Sequence, residues 1–211
     1  MNFIDFHVDT LYRLFYRAEG EVGDLWKNNC HIDLEREIAS GYTAQLFACF
    51  LDLAKKPKLG SSYEDVLGMI ELFYQQISAD KEKVGFAGNY AQYKENKEQG
   101  KLSAFLSLEE GGVLERDLLV KELDHRPAEF QNKGLKLFGL ETVQRMDELG
   151  MVVDVSHLSD AGFWDVVKHG TRPFMATHSN SREVRNVSRN LSDEMIRALA
   201  DRGGKPILGP W

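Results

Sequence analysis

Imidazole and carboxylate side chains follow several short apolar runs of the sequence. His7 and Asp9 come directly after residues 3–6, and because they are two residues apart, an extended chain points both to the same side. The other such side chains are Glu109 and Glu110 after residues 102–108, His157 after residues 151–155, and His178 after residues 173–177. If these runs are parallel strands, their carboxyl ends open on one face, where α/β proteins bind ligands.

This set of side chains suits divalent metal ions. Two imidazoles, a His–Asp pair and a glutamate fit two hard-to-borderline ions better than one closed tetrahedral site. A carboxylate has two oxygens, so the glutamate is the natural shared ligand, and the residue types alone leave both Glu109 and Glu110 open for this role. Two ions about 3.5–4 Å apart bring the pKa of a bound water down towards ~7. The pattern therefore predicts metal-dependent hydrolysis.

The elements that must position these side chains alternate between strand and helix patterns. Residues 3–6, 43–51 and 102–108 predict buried strands. Residues 62–78 predict a helix, because their apolar side chains recur at helical spacing, and Ser62 with Asp65 predicts a capping box. This alternation is typical of an α/β fold with a parallel sheet.

The second half of the chain repeats the same alternation. Two helices are predicted, over residues 140–149 ending at Gly150 and over Asp160–His169 ending at Gly170. The strands predicted after them span residues 151–155 and 173–177. A last helix is predicted to begin at the N-cap Ser192, with Asp193 and Glu194 in its first turn, and to end at Gly203.

Charge and composition exclude several classes of protein. The 211 residues are 43% apolar and carry 33 acidic against 26 basic side chains, a net charge of −7 without a basic stripe, so nucleic acid is not an expected partner. No window approaches the ~18 apolar residues of a membrane span, and the N-terminus lacks a signal-peptide pattern, so we expect a cytoplasmic protein that does not bind membranes. Cys30 and Cys49 are isolated and are predicted to be free thiols.

Five phrases of the sequence resemble the renal or membrane dipeptidases, which are zinc metallopeptidases with a (β/α)8 TIM barrel. The phrases are FIDFHVDT at 3–10, LFACF at 46–50, SLEEGG at 107–112, GMVVDVSHLSDAGFWDVV at 150–167 and ATHSNSREVRNVSRNLSDE at 176–194. They follow the order of the family and together span most of the chain. LFACF is the weakest of the five.

The resemblance implies two Zn²⁺ ions, although Mn²⁺ or Co²⁺ would accept the same ligands. It implies that His7 and Asp9 bind one ion, that His157 and His178 bind the other, and that a glutamate bridges both. We assign this bridge to Glu109, because the family's bridging residue directly follows an apolar strand residue, with Glu110 as the alternative. Asp9 and Glu109 are accordingly the predicted catalytic residues.

The resemblance also implies a dipeptide substrate. Arg189 matches the family's substrate-binding arginine, which would pair with the C-terminal carboxylate of the dipeptide in a charge-assisted contact. The expected chemistry is attack of a metal-bridging hydroxide on the scissile carbonyl. The alternatives are a catalytically impaired metal-binding relic of the family and another metal-dependent barrel amidohydrolase, although such amidohydrolases usually begin with His-x-His rather than His-x-Asp.

Two stretches depart from the family pattern. Residues 115–140 lack the substrate-contacting histidine or aromatic–Asn phrase, and the setting of His125 does not match it. After Gly204 the chain reads KPILGPW, without the later strands and the aspartate that serves the family as proton shuttle. Since a TIM barrel takes ~250 residues, we expect a single domain over 1–211, a TIM-barrel-like metallohydrolase incomplete at its C-terminal end. Exposed strand edges in such a sheet predict a homo-oligomer.

Overall fold

The computed structural model describes residues 3–113 and 133–206, which fall into two compact units, Met1–Val113 and Leu114–Trp211. The strands are β1 Phe3–Val8, β2 Tyr42–Phe50, β3 Val84–Phe86, β4 Leu102–Glu109, β5 Met175–Ala176 and β6 Lys205–Pro206. The helices are α1 Thr10–Tyr16, α2 Leu34–Ala39, α3 Ser62–Ala79, α4 Tyr90–Glu98, α5 Leu137–Leu149, α6 Asp160–His169 and α7 Asp193–Asp201, with a 3-10 turn at Gly111–Val113. None of the helices in these two ranges combines the length and apolar character that crossing a membrane requires.

The first unit contains a four-stranded parallel sheet in the order β1-β2-β4-β3. Phe50 at the end of β2 pairs with Glu109 at the end of β4, so the carboxyl ends of these two strands lie side by side. The strands predicted over residues 3–6, 43–51 and 102–108 are thus present, with bounds shifted by one or two residues.

The core of the first unit lies between this sheet and α1 and α3. Phe47 of β2 packs against Phe73 of α3 with 5.8 Å between ring centroids, and both side chains are fully buried. The predicted capping box is wrong by one residue, because the N-cap is Ser61 rather than Ser62. The Ser61 hydroxyl accepts from the Glu64 backbone N–H, as an N-cap side chain does, and it donates to the Glu64 carboxylate.

The second unit packs α5, α6 and α7 around Phe163, Val166, Phe174 and Leu199. α6 has the predicted bounds, and α5 ends at Gly150, whose φ of 72° is the left-handed conformation that glycine adopts most readily. β5 and β6 form a short parallel pair that connects Met175 with Lys205.

The strand predicted over residues 151–155 is wrong. Met151 and Val152 are more than half exposed, and the segment pairs with β5 only through a single bridge between Asp154 and Met175. Two backbone hydrogen bonds hold this bridge, from Val155 N–H to the Met175 carbonyl and from Met175 N–H to the Val153 carbonyl. The chain then turns at His157, which has a φ of 68°, so an extended ladder cannot continue. The strand predicted over residues 173–177 is likewise reduced to the two residues of β5.

Two further predictions concern the cysteines and the residues outside the described ranges. Cys30 and Cys49 are free thiols, as predicted, and burial raises the pKa of the Cys49 thiol to about 12. His125 and the final residues 207–211 lie outside the residues that the structure describes.

Candidate metal-binding clusters

The first cluster of predicted ligands lies at the carboxyl end of the sheet in the first unit. His7 is the second-last residue of β1, Asp9 directly precedes α1, and Glu109 ends β4. The Nε2 atom of His7 is 3.3 Å from Oδ1 of Asp9 and 3.2 Å from Oε2 of Glu109. The structure therefore brings together the three predicted ligands of this unit.

A local irregularity of β1 accompanies this arrangement. The register between β1 and β2 shifts between Asp5 and Val8, and the His7 backbone N–H donates to the Asp5 carboxylate at 3.2 Å. Asp9 makes no side-chain cap to α1, so its carboxylate is not used by the helix that it precedes. The side chains of His7 and Glu109 are mostly buried, whereas that of Asp9 is half exposed.

The two adjacent glutamates occupy different positions. Glu109 is the last residue of β4 and contacts His7, whereas Glu110 lies beyond the strand with a φ of 106°. A positive φ is strained for a residue with a side chain, and here it marks the point where the chain leaves the sheet. The location of Glu109 favours it over Glu110 as the predicted bridging ligand.

The second cluster contains His157, His178 and Arg189 of the second unit. The Nε2 atoms of the two imidazoles are 2.9 Å apart, and the rings are 4.8 Å apart between centroids. Arg189 donates from Nη1 to the His178 carbonyl at 2.6 Å, and its Nη2 is 3.2 Å from Nε2 of His157. All three predicted site residues of this unit are thus in contact.

The hydrogen bonds of this cluster indicate lone pairs on both facing nitrogens. A guanidinium only donates, so Nε2 of His157 accepts from Arg189. On its other side, His178 contacts the Thr177 hydroxyl through Nδ1 at 2.7 Å, and that hydroxyl already donates to Asp154. Nδ1 of His178 therefore carries the proton and its Nε2 carries a lone pair.

The Nε2 atoms of His157 and His178 lie 2.9 Å apart, which is close enough for both to ligate one cation. Neutral imidazole nitrogen is a common ligand of zinc and other divalent metals. The two imidazole nitrogens of His157 and His178, and the short distance between them, thus fit a metal ion. His157 is held in a left-handed conformation at this point, and such strain is concentrated at functional sites.

Sequence reasoning missed two residues that support this cluster. Asp154 accepts at Oδ1 from the backbone N–H groups of Ser156 and Thr177, at 2.9 and 3.1 Å, and Thr177 lies between Asp154 and His178. The only sequence signal was their position, three residues before His157 and directly before His178.

A family comparison identifies the relatives of the chain. The model of the membrane dipeptidases, peptidase family M19, matches residues 1–126 and 120–205. The chain belongs to peptidase family M19. The resemblance seen in the sequence is confirmed, and the five quoted phrases lie within the matched residues.

Curated relatives of this M19 chain match it to different extents. An uncharacterized protein in the pqqA 5′ region of Klebsiella pneumoniae is 41% identical over 71 residues, which are 34% of this chain and 26% of that protein. An uncharacterized protein in the PQQ-III 3′ region of Acinetobacter calcoaceticus is 27% identical across 82% of this chain and 68% of its own length. The uncharacterized dipeptidase C965.12 of Schizosaccharomyces pombe is 32% identical over 35% of this chain and 18% of its own length.

Solved structures share the fold. A metallopeptidase from Rhodobacter sphaeroides, liganded with a phosphinate mimic of the dipeptide L-Ala-D-Ala, matches with a TM-score of 0.77 and 19% identity over 99% of this chain and 73% of its own. The dipeptidase AC, a metallopeptidase of family M19, matches with a TM-score of 0.79 and 20% identity over 99% of this chain and 72% of its own. The predicted α/β, TIM-barrel-like metallohydrolase fold is thus confirmed, and the M19 chain spans about three quarters of these neighbours.

Proposed function

We propose that this M19 chain is a metal-dependent dipeptidase that uses two Zn²⁺ ions to hydrolyse the peptide bond of dipeptides. The observation that carries the proposal is the pair of imidazoles of His157 and His178, whose Nε2 atoms face each other at 2.9 Å in a chain of a metallopeptidase family. A phosphinate mimic of a dipeptide, bound to the Rhodobacter sphaeroides neighbour, supports a dipeptide as the substrate class.

The proposed ligands are the five that the sequence predicts. His7 and Asp9 would hold one ion, His157 and His178 would hold the other, and Glu109 would be the shared ligand. When bound, such a pair of divalent ions supplies a water of lowered pKa and polarises the scissile carbonyl. The residues of the chain position the ligand atoms. Oε2 of Glu109 lies 3.2 Å from Nε2 of His7, which keeps this carboxylate at the cluster.

Arg189 is the proposed substrate-binding residue. Its Nη1 is committed to the His178 carbonyl, which fixes the plane of the guanidinium beside the two imidazoles. A guanidinium presents its N–H donors in a rigid fork that matches the planar geometry of a carboxylate, which suits the C-terminal carboxylate of a dipeptide. Arg189 then orients the substrate relative to the imidazole cluster.

Metal content tests the ligand assignment. The full chain is dialysed against zinc, and bound zinc is measured by atomic emission in the unsubstituted chain and in His7→Ala and His157→Ala. We expect about two ions per chain in the unsubstituted protein and fewer in both variants. His31→Ala and His169→Ala are matched controls that remove an imidazole outside the clusters from each unit and should leave the zinc content unchanged.

Hydrolysis of a panel of dipeptides, followed by release of amino acids, tests the activity. Turnover that depends on zinc and falls at least 100-fold in His157→Ala supports the dipeptidase. Two bound zinc ions without turnover would instead support a catalytically impaired relic of the family. A chain that binds no zinc would contradict the proposal.

A further inference from the structure

We propose that Thr177 and Asp154 are positioning residues that fix the tautomer of His178. In this proposal the Thr177 hydroxyl bonds to both the Asp154 carboxylate and the His178 ring, and we call this pair of hydrogen bonds the relay. The relay holds the imidazole proton on Nδ1, so the Nε2 lone pair is directed towards His157. The inference rests on the proposed function only in giving that lone pair a metal ion to bind.

The backbone brings Asp154 and Thr177 close together. The bridge between Asp154 and Met175 sets the two chain segments side by side, so Asp154 lies across from the first residue of β5. There its Oδ1 accepts from the Thr177 backbone N–H at 3.1 Å. The Asp154 side chain is therefore anchored by the backbone of the residue that carries the hydroxyl.

The hydroxyl has one proton, and its use decides the tautomer. Thr177 donates this proton to Oδ2 of Asp154, because an ionised carboxylate only accepts. The Thr177 oxygen then accepts from Nδ1 of His178 at 2.7 Å. Both side chains are 5% exposed, so water has little access to either partner, and a buried bond of this kind has a strong directing effect.

The arrangement also fixes the orientation of the ring. The Ser156 hydroxyl accepts from the His178 backbone N–H at 3.2 Å, and Arg189 donates to the His178 carbonyl. The main chain of His178 is thus held on both sides, while the relay sets its χ2 rotation. Histidine ligands of metals typically donate their second ring N–H to such a partner, and loss of the partner costs 10–100-fold in metal affinity.

Thr177→Val is the decisive variant, because valine keeps the branched shape and removes only the hydroxyl. Without an acceptor, the buried Nδ1–H of His178 loses its partner, so the Nδ1–H tautomer loses the hydrogen bond that stabilises it. We expect the ring to shift from the Nδ1–H to the Nε2–H tautomer. Long-range ¹H–¹⁵N spectra of the metal-free full chain, at a pH where the imidazole is neutral, report this directly.

Matched variants separate the relay from general destabilisation. Thr171→Val removes a hydroxyl that donates to Asp147 at 2.8 Å in the same unit, a bond of the same kind without a histidine. It should leave the His178 tautomer and the zinc affinity unchanged. Thr177→Ser should retain the Nδ1–H tautomer, because serine restores the hydroxyl.

Zinc affinity is measured by competition with a chromophoric chelator, and we expect a 10–100-fold loss in Thr177→Val. An Nε2–H tautomer in the unsubstituted chain, or an unchanged spectrum in Thr177→Val, would overturn the relay. A tautomer shift in a chain that never binds zinc would contradict the proposed function and leave the relay standing.

Discussion

At the scale of single residues, Glu37 is the most unusual ionisable group of the first unit. Its side chain is 2% exposed, and within residues 3–113 and 133–206 neither of its carboxylate oxygens has a hydrogen-bond partner. Burial in the α2 segment, together with the smaller effect of the charges of Asp5 and Asp33, raises the pKa of this carboxyl to about 8. Glu37 therefore remains protonated in the folded state at pH values where it ionises in the unfolded chain.

This shift makes stability fall as pH rises. Between the ordinary pKa of 4.5 and the folded value of about 8, the folded state binds the proton and the unfolded state releases it. The contribution of protonated Glu37 to the free energy of unfolding is fully present below pH 4.5. It decreases by roughly 1.4 kcal/mol per pH unit as the pH rises to about 8. Urea unfolding from pH 5 to 8 should show Glu37→Gln gaining stability relative to the unsubstituted chain as pH rises. The exposed substitution Glu71→Gln should leave the slope unchanged, and an equal slope in Glu37→Gln would contradict the assignment.

Arg189 gives a second prediction at this scale. If its guanidinium binds the C-terminal carboxylate, Arg189→Met should lose about 1.5–3 kcal/mol of substrate binding, which is a 10–100-fold loss in kcat/KM. The loss should be confined to dipeptides with a free carboxylate, and C-terminal dipeptide amides should be hydrolysed at similar rates by both proteins. Zinc content is measured alongside, because Arg189 also contacts His157 and His178. An equal loss for acids and amides would assign Arg189 to the imidazole cluster instead.

At the scale of elements, one buried amide holds β3 and α4 in place. Asn96 of α4 is 8% exposed, and its Nδ2 lies 3.0 Å from the Gly85 carbonyl and 3.2 Å from both the Phe86 carbonyl and the Ser103 hydroxyl. Gly85 accommodates this close approach, because a Cβ there would lie 2.1 Å from Oδ1 of Asn96.

Replacing this amide should loosen the edge of the sheet. Asn96→Ala removes the bonds of a buried amide to two carbonyls of β3 and should cost about 1–3 kcal/mol in the free energy of unfolding, measured by urea denaturation. Gln99→Ala is the control, because that exposed side chain bonds only to Glu95 on the surface of the same segment. Equal stabilities of the two variants would show that the Asn96 bonds contribute nothing to the edge.

Asn96 also shows what the sequence conveys about elements and what it does not. α6, which lies between its N-cap Ser159 and Gly170, has the bounds that its cap and glycine stop predict. The α4 segment YAQYKENKE has no apolar stripe, and β3 is three residues long, so both depend on contacts that a local pattern does not contain. Conversely, the apolar run at residues 151–155 has the pattern of a buried strand but makes only one bridge.

The candidate ligands were easier to predict than the groups that support them. His7, Glu109, His157 and His178 are predictable as candidates because imidazoles and carboxylates are metal-binding side chains, and each follows an apolar run. A hydroxyl such as that of Thr177 acquires its role only through partners 23 residues away and adjacent to it, which no spacing rule reveals.

At the scale of the whole molecule, the single domain predicted over 1–211 includes both compact units, Met1–Val113 and Leu114–Trp211. The predicted ligands are distributed over both, with His7, Asp9 and Glu109 in the first and His157 and His178 in the second. The homo-oligomer also stays a prediction. Within the first unit β1 forms one edge of the described sheet, and Phe3 and Ile4 on it are 42% and 43% exposed, which is the kind of edge that favours pairing.

Energetic coupling between the ligands tests the single-domain prediction. If one pair of ions takes ligands from both units, His7→Ala and His178→Ala each disrupt the same centre, and the double variant should lose much less zinc affinity than the sum of the two single losses. If the units bind metal separately, the losses add within about 0.3–0.5 kcal/mol, as they do for independent sites. The same cycle on His31→Ala and His169→Ala should show neither loss nor coupling. Strict additivity for His7 and His178 would contradict a shared centre, whereas strong coupling would require the two units to act on zinc as one domain.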